Sequence, residues 1–311
     1  MSYERVFNQV KAQIIIPVYK PDNKFLKLLD MIKKQTLKNI PVLIIDSGSD
    51  GLYKKYIVNM NCIVKDIDVN TFNHGGTRQM GIDMCADADV YIFLTQDAIL
   101  ADDYAIENIV KVFNNNKVGC AYGRQLPHHG AGAFAIHARL FNYPDKSYIR
   151  SLKDKSTYGM KTAFLSNSFA AYRKEAMQDA GGFPINTILS EDMYVAAKML
   201  INSWSVAYCA DAKVYHSHDY TIWQEFKRYF DIGVFHARES WIRETFGAAE
   251  GEGKRFVLSE AKYLVKHNFL LLPEMIIRDG MKFLGYRLGI KENKLSINIK
   301  KKISMTKRYW R

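Results

Sequence analysis

Five short runs of apolar, mostly β-branched residues punctuate the first 125 positions: AQIIIPVY, PVLIIDS, NCIVKDI, VYIFLTQ and VGCAYGR. A strand with one wet face alternates apolar and polar residues, whereas these runs read as strands buried on both faces. Between them lie segments of helical period. DNKFLKLLDMIKKQTL puts Phe25, Leu28, Leu29 and Ile32 on one side, and GGTRQMGIDMCADA and DDYAIENIVKVFNN follow. Strand and helix in alternation predict an α/β fold, a parallel sheet with crossover helices. Such sheets bind ligands beyond the carboxyl ends of their strands. Tyr19 follows the first strand, Asp46, Ser47 and Gly48 the second, and Gln96 and Asp97 the fourth, so all are expected at one crevice.

A chain of 311 residues that is 48% hydrophobic can bury a large core, as one domain or one domain with an appendage, which excludes disorder. No run approaches the roughly 18 apolar residues of a spanning helix. The opening MSYERVFNQVKAQ lacks the apolar centre of a secretion signal, and the expectation is a cytoplasmic protein. Cys62, Cys85, Cys120 and Cys209 show no C-x-x-C spacing and read as reduced thiols. The net charge of +12 is concentrated late: from Lys282 to Arg311 ten basic residues face one acid, Glu292. No RRM, zinc-finger or helix-turn-helix pattern accompanies that charge, which argues against nucleic acid. His128, His129 and His137 match no common zinc spacing.

Taken in order, IIIPVYK, IIDSGSDG, FNHGGTRQMG, FLTQDA and SED resemble the A-type glycosyltransferases of family 2. More narrowly they resemble bacterial rhamnosyltransferases that build cell-wall or O-antigen polysaccharides from dTDP-L-rhamnose. The resemblance spans roughly residues 12 to 245. It implies the A-type fold, a Rossmann-like, mostly parallel central sheet flanked by helices, in a catalytic domain over 1–245, with a basic amphipathic helical region over 246–311. It implies that the first strand ends hold the donor nucleotide, here through Pro17, Tyr19, Asp46 and Ser47, with Gln96 alongside. It further implies a divalent cation, Mn²⁺ or Mg²⁺, at Asp97, and a base at the aspartate of the Glu191-Asp192 pair. Where many relatives carry Asp-x-Asp, this chain reads Thr95-Gln96-Asp97 and keeps one acid.

The chemistry of sugar transfer explains why such residues are needed. A departing nucleoside diphosphate carries charge that a hard cation on oxygen ligands neutralises without proton transfer. AKVYHSHDYT ends a predicted strand in His216 and His218, and the resemblance expects a late histidine to complete the metal site; His216 is favoured and His218 stays open. Gly75 and Gly76 open a helix whose N-H groups could face the diphosphate with help from Arg78; an ordinary glycine-rich turn is the alternative. Asp192 would deprotonate the acceptor hydroxyl, Glu191 would bind acceptor or serve as alternative base, and the resemblance implies inversion from a β-linked donor to an α-L-rhamnoside. The segment from Gly123 to Gly159 reads as a long loop or a short helix flanked by loops, and the resemblance implies that it forms the acceptor side, offering Arg124, His128 and His129. The implied acceptor is a saccharide on polyprenyl diphosphate. The basic C-terminal helices, with Tyr309 and Trp310 beside Lys307 and Arg308, would then rest on the inner face of the cell membrane. A UDP-hexose donor and a non-catalytic carbohydrate-binding module are the alternatives, and homo-oligomerisation stays open.

Overall fold

A computed structural model describes residues 10–310 apart from 50, 52, 248 and 249. The start of the chain, on which the absence of a secretion signal was read, and Arg311 therefore lie outside the described residues. In chain order the elements are β1 (Ala12–Val18), α1 (Asn23–Lys34), β2 (Val42–Asp46), α2 (Lys54–Ile57), β3 (Cys62–Asp66), α3 (His74–Met84), β4 (Val90–Leu94), β5 (Ile99–Leu100), α4 (Ala105–Lys111) and β6 (Val118–Leu126). There follow α5 (Ala133–Asn142), β7 (Tyr148–Arg150), α6 (Lys155–Tyr158), β8 (Phe169–Arg173), α7 (Lys174–Asp179), α8 (Glu191–Ile201) and β9 (Ser205–Tyr215). The chain ends in helices: α9 (Ile222–Arg238), α10 (Ser240–Phe246), α11 (Glu250–His267), α12 (Leu272–Ile290) and α13 (Ile297–Ile303).

All nine strands join one sheet in the order β3-β2-β1-β4-β8-β6-β9-β5, with β7 added on β9. β1 to β4 run parallel, as do β6 and β9, while β8 is antiparallel between β4 and β6. The sheet interior is buried on both faces, but NCIVKDI, read as a doubly buried strand, forms the edge strand β3, where no residue is buried and Ile63 is 65% exposed. Ile14 and Ile16 of β1 join one core with Phe25, Leu28 and Leu29 of α1, and Ile15 between them joins the other with Val195 and Met199 of α8. The period of two in the strand and 3.6 in the helix meet in these layers.

This topology sets the site. Because β1, β4, β6 and β9 share a direction, Tyr19, Asp97, Gln125 and His216 emerge at one edge. Antiparallel β8 begins at that same edge, so Asn167, just before it, arrives there too.

The helical stretches over 222–246 and 250–290 are each divided in two. The first breaks at Glu239 between α9 and α10, and the second breaks near Asn268, where Pro273 sits in the first turn of α12 and cannot continue a preceding helix. α12 crosses α9 at backbone contact: a Cβ on Gly285 would lie 2.3 Å from the Phe226 carbonyl oxygen, and one on Gly289 would lie 2.1 Å from that of Phe230. Gly289→Leu is therefore expected to cost about 3 kcal/mol by overpacking and to lower Tm by roughly 5–10 °C, read by thermal denaturation. Beyond α13 the chain folds back onto α9. Asp231 accepts from the Met305 and Thr306 amides, and Trp310 packs against Phe230 at 4% exposure.

Candidate active site

Asp97 leaves the end of β4 and faces the end of β9. Its Oδ2 lies 3.5 Å from His216 Nε2 and 3.6 Å from His218 Nε2. Burial alone would raise the Asp97 carboxyl, but His216 and His218, when protonated, outweigh it and hold the group well below the usual carboxylate range. Burial lowers both imidazoles, His218 to about 4, so both are neutral at physiological pH. The tautomer of His216 is set by Gln125, whose Oε1 lies 2.9 Å from Nδ1 and can only accept; Nε2 therefore turns a lone pair toward the carboxylate. A carboxylate oxygen and two imidazole nitrogens converge, and the three ligand atoms lie within 4.8 Å of one another. Ligands at about 2.1 Å from one ion stand roughly 3 Å or more apart, and this mixed donor set suits Mn²⁺ or Mg²⁺. The residues fit a divalent cation.

The Glu191-Asp192 pair opens α8 behind Ser190, whose φ of 59° is left-handed. That conformation costs a serine about 1 kcal/mol or more, and it divides the two acids. Glu191 turns inward, 5% exposed, where it pairs with Arg78 at 3.1 Å and accepts from Asn167 Nδ2 at 2.8 Å. Asp192 turns into a cavity of about 1230 Å³ that Asp97, His216 and His218 also line. Its Oδ2 accepts from the Asn167 amide and its Oδ1 from that of Met193. Burial, with the Glu191 charge beside it, pushes the Asp192 carboxyl up to about 6. A carboxylate with that affinity suits general-base work near neutrality.

Several expected donor contacts are instead structural. Arg78 is buried, bonded to Glu191 and donating to the His74 carbonyl, so it is not free for a diphosphate. A Cβ on Gly75 would lie 1.7 Å from the Pro184 carbonyl oxygen; that glycine serves close packing. The Gly76 amide is capped by Asn73 Oδ1 and is not free to face an anion. Asp46 spends its carboxylate on the Gly48 and Ser49 amides and the Tyr53 hydroxyl, and Ser47 donates to the Val18 carbonyl. Gln96 grips the Tyr19 backbone with both ends of its amide, joining the ends of β1 and β4. Pro17 stays in β1 opposite Ile45, half-buried, and Tyr19 displays an exposed ring with Lys20 Nζ 5.5 Å from its centroid.

The acceptor-side residues also move. Arg124 precedes Gln125 on β6 and so points to the opposite face; it does not line the cavity. His128 donates its amide to Ser217 Oγ and lies toward Asp22 and Lys24, while His129 packs on Tyr215; neither lines the cavity holding Asp192. The segment read as a long loop or a short helix flanked by loops forms α5, β7 and α6, and α5 supplies that wall.

Three contributors went unmarked in the sequence. Asn167 holds both acids of the pair, and Gln125 orients His216. Arg228 of α9 lines the cavity with no carboxylate partner among the described residues: its guanidinium lies 5.8 Å from the Tyr220 ring, which stacks on His218.

Comparison with known proteins adds relatives to this geometry. The model for glycosyl transferase family 2 matches residues 13–181. The O-antigen chain rhamnosyltransferase RfbN of Salmonella typhimurium is 47% identical over 302 residues, covering 97% of this chain and 96% of the relative. WbaN of Salmonella anatum, also named an O-antigen chain rhamnosyltransferase, is 43% identical, with 96% and 95% covered. Among solved structures, the mannosyltransferase PcManGT of Pyrobaculum calidifontis, in complex with GDP-Man and Mn2+, superposes with a TM-score of 0.63 at 15% identity, over 92% of this chain and 88% of that one. At that identity the likeness is one of fold.

Proposed function

Because this chain belongs to glycosyl transferase family 2, we propose that it is an O-antigen rhamnosyltransferase that moves rhamnose from dTDP-β-L-rhamnose to a hydroxyl of a saccharide carried on polyprenyl diphosphate, with inversion. The observation that carries the reading is the shared cavity: Asp192, a base with its carboxyl near 6, faces the space bounded by Asp97, His216 and His218. Two near-full-length relatives named as O-antigen chain rhamnosyltransferases support the sugar.

Asp97, His216 and His218 would hold a divalent cation, which when bound supplies positive charge to the leaving diphosphate. Arg228 supplies a second positive charge in the same cavity and takes the role first expected of Arg78. Arg228→Ala is expected to lower kcat by about 10²-fold, the scale of losing one charge-stabilising donor, with little change in Tm; steady-state kinetics with dTDP-rhamnose reads this. Asp192 accepts the proton of the acceptor hydroxyl, and Asn167 and the Met193 amide keep its carboxylate aimed. Tyr19 offers its exposed ring to the nucleotide base at the end of β1.

No helix among the described residues is long and apolar enough to cross a membrane. An acceptor on polyprenyl diphosphate then requires the protein to work as a peripheral enzyme at the cytoplasmic face. Thermal shift with Mn²⁺ tests the donor: dTDP-rhamnose should raise Tm, while UDP-glucose and UDP-GlcNAc should leave it unchanged. Stabilisation by a UDP-sugar and none by dTDP-rhamnose would overturn the assignment.

A further inference from the structure

Helices α11 and α12 form a hairpin that shows different chemistry on its two sides. The inner side belongs to the cavity of the site: Arg255 and Phe256 of α11, Leu271 of the turn, and Glu274 and Arg278 of α12 line the same space as Asp97 and Asp192. The outer side is apolar and exposed. Phe269 and Leu270 at the turn are 65% and 74% exposed, and Val265, Ile276 and Phe283 continue the face along both helices.

Charge along this stretch is sorted by exposure. From 254 to 302 every exposed side chain with a permanent charge is Lys or Arg, among them Lys262, Lys266, Arg287 and Lys291, apart from Glu274, 38% exposed and paired with Arg278. The acids are paired, Glu274 with Arg278 at 2.7 Å, and the others are drawn inward: Asp279 with Lys282 at 3.1 Å, Glu292 with Arg238 at 2.9 Å, and Glu260 beside His137 at 3.5 Å. Trp310 and Tyr309 are not part of this surface, since Trp310 is buried and Tyr309 bonds Arg238 and the Asn186 carbonyl. The anchor expected at the end of the chain therefore lies in the hairpin.

An apolar face ringed only by cations fits one occupant better than the others. A second copy meeting this face about a two-fold axis would set cations against cations, and the core of a protein interface is depleted of lysine. An anionic bilayer takes the apolar side chains at the headgroup boundary and the lysines at the phosphates. We infer that the outer face of the α11–α12 hairpin rests on an anionic bilayer while its inner face walls the channel to Asp192, so that the acceptor enters beside Leu271 with its lipid still in the membrane. This rests on the reading that the acceptor is lipid-linked.

Flotation with vesicles tests the surface without any acceptor. The full chain should float with phosphatidylglycerol/phosphatidylethanolamine vesicles at low salt and at least about tenfold less with phosphatidylcholine alone, because the cations need anionic headgroups. Phe269→Glu with Leu270→Glu should reduce flotation by about tenfold or more while leaving Tm and the thermal shift by dTDP-rhamnose as in the wild type. Three results would overturn the inference: no flotation of the wild type, flotation of the double variant equal to wild type, or a wild-type dimer in sedimentation that the double variant dissolves. If vesicles bind and dTDP-rhamnose does not, the surface stands and the donor assignment fails.

Discussion

Asp97→Asn is expected to lower rhamnosyl transfer by about 10³-fold or more, equivalent to roughly 4 kcal/mol of barrier, with the fold retained. Asp97 supplies the only anionic atom among the three that converge at the ends of β4 and β9. An amide keeps the shape and removes the charge. His216 remains held by Gln125 and by its own amide bond to the Leu126 carbonyl, so the rings stay in place. The core strand that ends at this position, Val90 to Leu94, is fully buried and independent of the carboxylate. Turnover of dTDP-rhamnose checks the loss, and a direct Mn²⁺ titration should show weakened binding in the same variant. Near-normal turnover would remove Asp97 from the mechanism.

Asp192→Asn is expected to be comparably severe, about 10³-fold, within the range for loss of a positioned base. The pH dependence gives the sharper signature. A base must be deprotonated to act, and burial with the Glu191 charge pushes the Asp192 carboxyl up to about 6. Below that value kcat/KM should fall about tenfold per pH unit, and above it the rate should level off. The asparagine variant should lose this limb. A wild-type profile flat from pH 5 to 8 would identify a different base, and Glu191 is a poor candidate because Arg78 and Asn167 already occupy it.

The layered core was legible because it depends on local period. Ile14, Ile15 and Ile16 in a row already state that β1 has no wet face, and Phe25, Leu28, Leu29 and Ile32 are all buried where α1 meets the sheet. The meeting of Asp97 with His216 was expected from the family resemblance alone, and the parallel β4, β6 and β9 are what bring the two to one edge. The insertion of antiparallel β8 between β4 and β6 was not, since strand order is decided by long-range pairing that leaves no periodic mark.

Polar residues at strand ends were harder to assign than to locate. Asp46 and Asp97 look alike in sequence, each an acid closing an apolar run. Asp46 has Tyr53 and two amides within reach and becomes a turn organiser, whereas Asp97 faces the two imidazoles at the end of β9. Arg78 was misplaced for a related reason: its partner Glu191 is 113 positions away, and nothing near Arg78 in sequence indicates it. Arg228 carried the opposite disguise, a cation on a charged amphipathic helix, and only the cavity distinguishes it from its solvated neighbours.

Anomalous diffraction at the manganese edge, from crystals grown with Mn²⁺ and dTDP, tests the central claim most directly. The account predicts a single strong peak about 2.1–2.3 Å from Asp97 and from His216 or His218, with the diphosphate on its open side and Asp192 across the same cavity. A peak bound instead by Asp46 or Glu191, or none between β4 and β9 while dTDP is bound, would contradict it.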